Sequence, residues 1–225
     1  MRIAVIPAYN EALRIGPVVR SLSSSVDRVM VVDDGSADRT AEAALEAGAR
    51  VLRHVINRGQ GAALKTGTLA ALREGADVVV HMDADGQHDP VDASALIAPI
   101  EDGRADVVFG SRFLGVASDG MPSSRKLLLW AARQFSIFVL GIPARFTDPQ
   151  SGLRAMSAEA AKDIDFSQDR MAHCSEILRL VARSDFRSAE VPVKVTYTKD
   201  TLAKGQKALD AARIVWQLFV GSMQR

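Results

Sequence analysis

Short runs of apolar, mostly β-branched residues alternate with longer amphipathic stretches through the first half of the chain. The runs predict five strands, at about residues 3–6, 28–32, 50–53, 77–82 and 106–109. Apolar strands separated by segments of helical length are typical of βαβ units, in which helices cover both faces of a parallel sheet. The pattern therefore predicts an α/β protein with a mostly parallel central sheet flanked by helices.

Glycines mark the ends of the helices between these strands. Gly48, Gly75 and Gly103 each stand where a helix would end in a residue with positive φ. In the second half, a segment rich in Gly, Ser and Pro (114–124) predicts a mobile loop. Helices at about 125–140, 173–183 and 205–219 and a strand at about 189–196 then follow. These elements would cap the sheet and shape one side of a ligand site at the strand ends.

The composition fits one large domain without a membrane span. A chain of 225 residues with 48% hydrophobic content can bury a substantial core. Lys plus Arg (28) nearly cancels Asp plus Glu (27), so the net charge does not indicate nucleic acid. The single cysteine, Cys174, excludes an internal disulfide and fits a reducing compartment. We see no secretory leader, and the most apolar stretch (127–142) is shorter than the ~20 residues of a spanning helix, so we expect a cytoplasmic protein.

The charges are distributed unevenly along the chain. Residues 83–106 contain seven acids against one base, whereas residues 112–154 contain six bases against two acids. An acidic stretch suited to a cation is thus followed by a basic stretch suited to anions.

Two aspartates, Asp83 and Asp85, follow the fourth predicted strand, and Gln87 stands two residues further on. Mg²⁺ is usually held by one or two carboxylates together with substrate phosphates. An EF-hand is excluded because His88 and Ser94 occupy the positions of its glycine and its bidentate glutamate. A plain turn that caps the next helix is the alternative. We predict a Mg²⁺ or Mn²⁺ site completed by the diphosphate of a nucleotide-activated substrate.

Two further polar clusters follow the first two strands. Pro7, Tyr9 and Glu11 come after strand one, and Asp33 and Asp34 close strand two. Because the carboxyl ends of parallel strands meet at one edge of a sheet, these residues would line a nucleoside pocket. Asp, Gly and Ser are also ordinary turn formers, so a simple loop is the alternative for residues 33–36.

A glycine-rich segment (57–67) resembles two phosphate-binding motifs and matches neither. Leu64 stands where a Walker A loop and a dinucleotide fingerprint each need a glycine. A turn into a helix can still bind phosphate through its backbone N–H groups, and Lys65 is a candidate for binding the nucleotide-activated substrate. Tight packing against the sheet explains the glycines almost as well.

Arginines dominate the charged positions after the fifth strand. Arg112 follows that strand directly, and Arg125 opens the next predicted helix. Guanidinium offers a planar fork that matches phosphate oxygens, so we predict an anion clamp at Arg112.

The four histidines share no ligand spacing with each other or with Cys174, which argues against zinc. The lack of a Gly-x-Ser-x-Gly elbow disfavours a serine hydrolase.

Seven motifs occur in one order along the chain: Pro-Ala-Tyr-Asn-Glu (7–11), Val-Asp-Asp-Gly-Ser (32–36), Asn-x-Gly-x-Gly (57–61), Asp-Ala-Asp-Gly-Gln-His-Asp-Pro (83–90), Gly-Ser-Arg-Phe (110–113), Ser-Gly-Leu-Arg (151–154) and Glu-Val-Pro (190–192). In this order they resemble the family 2 glycosyltransferases, and within them the polyprenyl-phosphate (dolichol-phosphate) mannose and glucose synthases. The resemblance covers essentially the whole chain. It implies a single domain, with 1–112 as the nucleotide-sugar and metal-binding half and 113–225 as the acceptor-side half.

The resemblance implies a GT-A (nucleotide-diphospho-sugar transferase) fold, a GDP- or UDP-hexose donor, a divalent metal, a polyprenyl phosphate acceptor and inversion at the anomeric carbon. Individual roles are implied as follows: Pro7, Tyr9, Glu11 and Asp33 hold the nucleoside with Asp34 beside them, Asp83, Asp85 and Gln87 bind the metal, and Arg112 and Arg125 grip the acceptor phosphate. A phosphate acceptor is already anionic and needs no base, whereas a sugar hydroxyl would need one, for which Asp148 is the best-placed candidate.

Several alternatives stay open at this point. The apolar helix at 125–140 fits a peripheral helix on the inner face of a membrane, a part of the core, or the surface of a homodimer. Two rival functions are a family 2 transferase acting on a saccharide hydroxyl in cell-wall or exopolysaccharide synthesis, and a catalytically silent nucleotide-sugar binding module.

Overall fold

Strands and helices alternate through most of the protein in a computed structural model, which describes residues 1–89, 91–115 and 123–196. The strands are β1 (Arg2–Ala8), β2 (Arg28–Asp33), β3 (Arg50–Arg53), β4 (Val78–His81), β5 (Val107–Ser111), β6 (Arg154–Ser157) and β7 (Ser188–Pro192). The helices are α1 (Ala12–Leu22), α2 (Thr40–Glu46), α3 (Gln60–Arg73), α4 (Val91–Glu101), α5 (Ser123–Phe138), α6 (Ala158–Asp163) and α7 (His173–Arg183). The five strands predicted in the first half are all present, within about two residues at each end.

The seven strands form one sheet in the order β3-β2-β1-β4-β6-β5-β7. All neighbouring pairs are parallel except those of β6, which runs antiparallel to both β4 and β5. The prediction of a mostly parallel α/β sheet is therefore confirmed. Strands from both halves of the chain share this sheet, since β6 and β7 follow residue 113.

The second half departs from the sequence-based expectation in several places. β6 and α6 were not predicted, and the strand expected at 189–196 ends at Pro192. The loop expected at 114–124 overlaps α5, which begins at Ser123; residues 116–122 of that loop and the helix expected at 205–219 lie outside the described residues. β6 is hard to predict because it has only four residues and no helix connects it to a parallel neighbour.

The core consists of two apolar layers, one on each face of the sheet. Along β1, Ala4 and Ile6 belong to the layer covered by α1, α2 and α4, whereas Ile3 and Val5 belong to the layer covered by α3, α6 and α7. Successive residues of a strand point to opposite faces, so a sheet covered on both sides needs apolar residues at every position. Each fully buried Val or Ile side chain contributes about 1.5–3 kcal/mol.

Helix α3 lies especially close to the sheet. A Cβ atom at Gly67 would overlap the side chain of Val5, and it would also press on Val32. The glycine therefore allows α3 to pack directly over β1 and β2, with its N-terminus at the edge where those strands end.

Among the residues that the structure describes, we find no helix with both the length and the apolar character needed to cross a bilayer.

Candidate functional site

The carboxyl ends of β1, β2 and β4 form one edge of the sheet. The parallel register pairs Ala8 with Asp33 at the ends of β1 and β2, and the N–H of Asp34 donates to the carbonyl of Ala8 at 2.8 Å. β4 lies on the other side of β1 and ends at His81, two residues before Asp83. The three polar clusters predicted from the sequence are therefore brought to the same edge.

A hydrogen-bonded corner joins the loops that follow β1 and β2. The carboxylate of Asp33 is fully buried; its Oδ1 accepts the N–H of Ser36 at 2.9 Å, and its Oδ2 lies 3.1 Å from Arg53 Nε. The N–H of Asn10 donates to Ser36 Oγ at 2.9 Å, and Asn10 takes a positive φ of 55°. The two loops are thus locked together, with Asp33 at their base.

The other nucleoside candidates occupy the rim of this corner. Pro7 is buried within β1, and the Tyr9 side chain is about half exposed. The carboxylate of Glu11 accepts a hydrogen bond from Arg14 Nη1 at 2.8 Å. The placement leaves the ring of Tyr9 accessible beside the buried carboxylate of Asp33.

The carboxylate of Asp34 is hydrogen-bonded within the protein. Its Oδ1 accepts the N–H of Arg58 at 2.9 Å and lies 2.7 Å from Nδ1 of His54, and its Oδ2 accepts the N–H of Gly59 at 2.7 Å. The side chain therefore ties the end of β2 to the turn that opens α3, and its contribution to nucleoside binding stays a prediction.

The glycine-rich turn is explained by close packing. Cβ atoms at Gly59 and Gly61 would overlap the backbone of residues 168–169, and the N–H of Ala62 donates to the Asp169 carbonyl at 3.1 Å. Lys65 Nζ donates to Asp165 at 2.6 Å and to the Phe166 carbonyl at 3.1 Å. These contacts favour the packing alternative for the glycines, and a donor-binding role for Lys65 remains untested.

The predicted metal ligands gather at the end of β4. Asp83 Oδ1 accepts a hydrogen bond from Gln60 Nε2 at 2.8 Å, and its Oδ2 lies 3.6 Å from His88 Nε2. The same carboxylate rests on Gly152, where an added Cβ would approach Oδ2 to 3.1 Å. Asp85 Oδ1 accepts the N–H of Gln87 at 3.0 Å. Gln60 was not predicted as a site residue, although it lies inside the glycine-rich segment (57–67).

The two aspartates differ in how easily they ionise. Burial raises the pKa of the Asp85 carboxyl, and the negative charges of Asp83 and Glu11 raise it further. Burial alone would also raise the pKa of Asp83, but the nearby His88, His173 and Arg154 together lower it below its ordinary value. Ionisation of Asp85 is therefore less favourable than that of an exposed aspartate, and a nearby positive charge would favour it.

This arrangement fits a hard divalent cation. In the described part of the chain, no group of three or more His, Cys, Asp or Glu side chains is placed to hold a metal by itself. Two carboxylates and the Gln87 amide leave coordination positions for diphosphate oxygens, which is the way Mg²⁺ is usually held. Burial and the charge of Asp83 raise the pKa of the Asp85 carboxyl, and a bound cation would favour its ionised form.

The acceptor-side candidates form a separate cluster beyond β5. Arg112 Nε and Nη2 donate to the two oxygens of Asp148 at 2.6 and 2.7 Å, and the Arg112 N–H also donates to Asp148 at 3.1 Å. Both side chains are buried, Asp148 almost completely. The backbone of Arg125 lies in the first turn of α5, and its side chain is outside the described residues. The structure thus pairs Arg112 with Asp148, two residues that the sequence did not connect.

A buried polar cluster behind Asp83 was not predicted. Arg154 is fully buried; its Nε donates to the Gly152 carbonyl at 3.2 Å, and its Nη2 lies 3.3 Å from Cys174 Sγ. Nε2 of His173 lies 3.4 Å from the same sulfur. The only signal in the sequence is the Ser-Gly-Leu-Arg motif, which ends at Arg154.

Known proteins resemble this chain in sequence. A family model described as Glycosyl transferase family 2 matches residues 3–165. The chain is 33% identical to the UDP-N-acetylglucosamine–dolichyl-phosphate N-acetylglucosaminyltransferase of Methanococcus voltae, covering 97% of this chain and 95% of that protein. It is 35% identical to the polyprenol monophosphomannose synthase of Mycolicibacterium smegmatis, covering 86% of this chain and 77% of that protein.

The fold has clear structural neighbours as well. A crystal structure of glucosyl-3-phosphoglycerate synthase from Mycobacterium tuberculosis, in complex with Mn²⁺ and UDP-glucose, superimposes with a TM-score of 0.76. The match is 23% identical in sequence and covers 97% of this chain and 76% of that one. The fold is therefore GT-A, and the chain belongs to glycosyl transferase family 2.

Proposed function

We propose that this protein transfers a hexose, with inversion, from a GDP- or UDP-hexose to a polyprenyl phosphate, and that the reaction requires Mg²⁺ or Mn²⁺. The observation that carries the proposal is the meeting of Asp83 and Asp85 with the loops after β1 and β2 at one edge of a GT-A sheet. The names of two relatives, a dolichyl-phosphate N-acetylglucosaminyltransferase and a polyprenol monophosphomannose synthase, support the choice of a lipid phosphate as acceptor.

On the donor side, the buried carboxylate of Asp33 and the exposed ring of Tyr9 would hold the nucleoside, with Pro7 and Glu11 completing the corner. Asp34 keeps the turn at residues 57–59 in place by accepting the N–H groups of Arg58 and Gly59. Asp83, Asp85 and Gln87 would hold the metal, which when bound neutralises the charge of the departing nucleoside diphosphate.

On the acceptor side, Arg112 and Arg125 would bind the lipid phosphate. An acceptor phosphate oxygen is already anionic, so it can attack the anomeric carbon without a general base. The single displacement occurs on the face opposite the diphosphate, which inverts the configuration. The pairing of both Asp148 oxygens with Arg112 favours this route over a saccharide hydroxyl, because a general base needs an oxygen that can take a proton.

We also propose that α5 brings the site to a membrane surface. Leu127, Trp130 and Phe138 are exposed on this helix, and the exposed Lys126 lies near its start. A helix with an apolar face and basic residues suits the interface of an anionic bilayer. Binding of the protein to anionic and to neutral vesicles would test this attachment, and it should require anionic lipid.

The proposed reaction is tested with purified protein, a short-chain polyprenyl phosphate and Mn²⁺. A thermal-shift panel of GDP- and UDP-sugars, with and without Mn²⁺, first identifies the donor. Radiolabelled sugar from that donor should then appear in a solvent-extractable lipid, and Asp85→Asn should abolish the product. Label that appears only on a glycan acceptor would establish the saccharide-hydroxyl alternative, and donor binding without turnover on either acceptor would establish the binding module.

A further inference from the structure

A carboxylate on the last described strand fixes the turn that holds Arg112. Both oxygens of Glu190, on β7, accept the N–H of Thr147 at 2.9 Å. Glu190 Oε2 also accepts the hydroxyl of Thr147 at 2.9 Å, and Oε1 accepts the N–H of Asp148 at 3.2 Å. Three donors from two consecutive residues therefore converge on one side chain from another part of the chain.

The hydroxyl hydrogens in this network have one consistent direction. Ser111 Oγ and Thr147 Oγ1 lie 2.6 Å apart, and either could donate. Since an ionised carboxylate only accepts, Thr147 donates to Glu190, and Ser111 must donate to Thr147. Ser111 Oγ in turn accepts the N–H of Phe113 at 3.2 Å. The network thus holds the chain on both sides of Arg112.

Glu190 is separated from the proposed acceptor by two further residues. It lies opposite Phe109 in the pairing of β5 with β7, and its contacts reach Arg112 only through Thr147 and Asp148. Asp148 then orients the Arg112 guanidinium by accepting from Nε and Nη2. Hydrogen bonds thus connect Glu190 on the edge strand with the guanidinium through Asp148.

We propose that Glu190 is a positioning residue, which aims Arg112 at the acceptor anion by fixing Thr147 and Asp148. The inference rests on the proposed function, in which Arg112 binds the acceptor phosphate. A guanidinium held in one orientation loses little conformational freedom when it binds an anion, so loosening the turn weakens acceptor binding. The donor site, at the ends of β1, β2 and β4, is left unchanged.

The first experiment compares Glu190→Gln and Glu190→Ala with the wild type. The control is Glu159→Gln, which makes the same change at an exposed position of α6. We expect Glu190→Ala to raise the acceptor KM about tenfold, and Glu190→Gln to raise it less, because the amide oxygen still accepts one of the N–H groups. The donor KM should stay within about twofold. An equal rise in both KM values, or an unchanged acceptor KM, would overturn the assignment.

A double-mutant cycle separates positioning from general loss of structure. In an Arg112→Ala background, Glu190→Ala should cause no further rise in the acceptor KM, because the residue through which Glu190 acts is gone. Additive effects of the two substitutions would instead give Glu190 an independent role and contradict the inference.

Amide hydrogen exchange tests the same network without any turnover. Exchange at residues 111–113 and 147–148 should become faster in Glu190→Ala and should not change in Glu159→Gln. Unchanged exchange there would overturn the positioning role even if transfer is observed. Conversely, a wild-type protein that transfers no sugar to polyprenyl phosphate would overturn the proposed function, and the exchange result would still decide whether Glu190 holds the turn.

Discussion

The donor and acceptor sides of the site handle charge in opposite ways. On the donor side, burial raises the pKa of Asp85, and the negative charges of Asp83 and Glu11 raise it further. On the acceptor side, Arg112 is already matched by Asp148, which is itself held by Glu190. In the proposed function a cation would complete the donor side, whereas side chains of the protein already pair with one another on the acceptor side.

This difference predicts that a substitution on the donor side lowers activity without lowering stability. A substitution on the acceptor side should lower both. A carboxylate gathered with others destabilises the protein until its ligand binds, so removing it relieves strain while abolishing binding. A buried ion pair has the opposite property, because removing one partner leaves the other charge uncompensated.

The largest effect is expected from Asp85→Asn on the donor side. Sugar transfer should fall by on the order of a thousandfold, because a metal ligand is lost. The free energy of unfolding without metal should stay equal or rise, since the substitution removes a charge that burial and Asp83 disfavour. Activity assays, Mn²⁺ binding followed by electron paramagnetic resonance, and urea unfolding measure the three quantities.

The control for this experiment is Asp163→Asn, on the exposed surface of α6. It should leave both Mn²⁺ binding and transfer unchanged. A clear loss of stability in Asp85→Asn without metal would show that the donor side is organised in the same way as the acceptor side, and the comparison would fail.

On the acceptor side, Asp148→Asn should lower the free energy of unfolding by about 3 kcal/mol, because Arg112 loses a buried counter-charge. The acceptor KM should rise at the same time. The matched control is Asp102→Asn, which removes the partner of Arg104 in an exposed pair and should change stability little. Equal effects of the two substitutions in urea unfolding would show that burial of the Arg112 pair has no energetic consequence.

The sequence predicted which residues meet at the ends of β1, β2 and β4 better than it predicted the contacts around Arg112, for a physical reason. Asp33 and Asp83 come within two residues of strand ends, so the rule that parallel strands end at one edge is enough to bring them together. Arg112 and Asp148 are 36 residues apart and meet through a turn that no local pattern specifies. Glu190 is 42 residues further from Asp148 and could not be connected with it before the β5–β7 pairing was known.

The glycine-rich turn and the antiparallel strand β6 also depend on tertiary contacts that a local sequence pattern does not specify. A glycine-rich turn is compatible with phosphate binding and with close packing, and only the position of residues 168–169 against Gly59 and Gly61 favours packing. β6 escaped prediction because a four-residue strand between two long-range neighbours carries almost no periodic signal. Gly152, just before β6, lies against Asp83, and this contact likewise depends on the tertiary structure.

A smaller effect is expected at Gly152, where the segment leading into β6 touches the donor side. An alanine there would bring its Cβ within 3.1 Å of Asp83 Oδ2, so the carboxylate must shift by a few tenths of an ångström. We expect Gly152→Ala to weaken Mn²⁺ binding by about three- to tenfold with little change in stability. Gly16→Ala, in α1, is the control, since its Cβ would meet the flexible end of Arg20 at 3.4 Å and the Ala43 carbonyl at 3.7 Å, an ordinary van der Waals distance. Unchanged Mn²⁺ binding in Gly152→Ala would mean that the position of Asp83 does not depend on this contact.

The smallest effect is spectroscopic, and it concerns the positive charge behind the donor side. Burial alone would raise the pKa of the Cys174 thiol, but His173 and Arg154, with their contacts to the sulfur, lower it from 9.0 to about 6. The same two residues help to lower the pKa of Asp83, so the positive charge near Cys174 also stabilises the ionised form of Asp83. Because Cys174 is the only cysteine, the thiolate absorbance at 240 nm reports on it alone, with Cys174→Ser as the blank.

We expect this absorbance to titrate near pH 6 in the folded protein and near pH 9 after unfolding in guanidinium. A thiol whose pKa is lower in the folded state stabilises the fold at a pH above the unfolded value, and this contribution is lost as the pH falls through about 6. The difference in unfolding free energy between wild type and Cys174→Ser should therefore shrink between pH 9 and pH 6. A folded-state midpoint near pH 9 would show that Arg154 pairs with Asp83 and not with the sulfur. The donor side would then already contain a matched charge pair, as the acceptor side does.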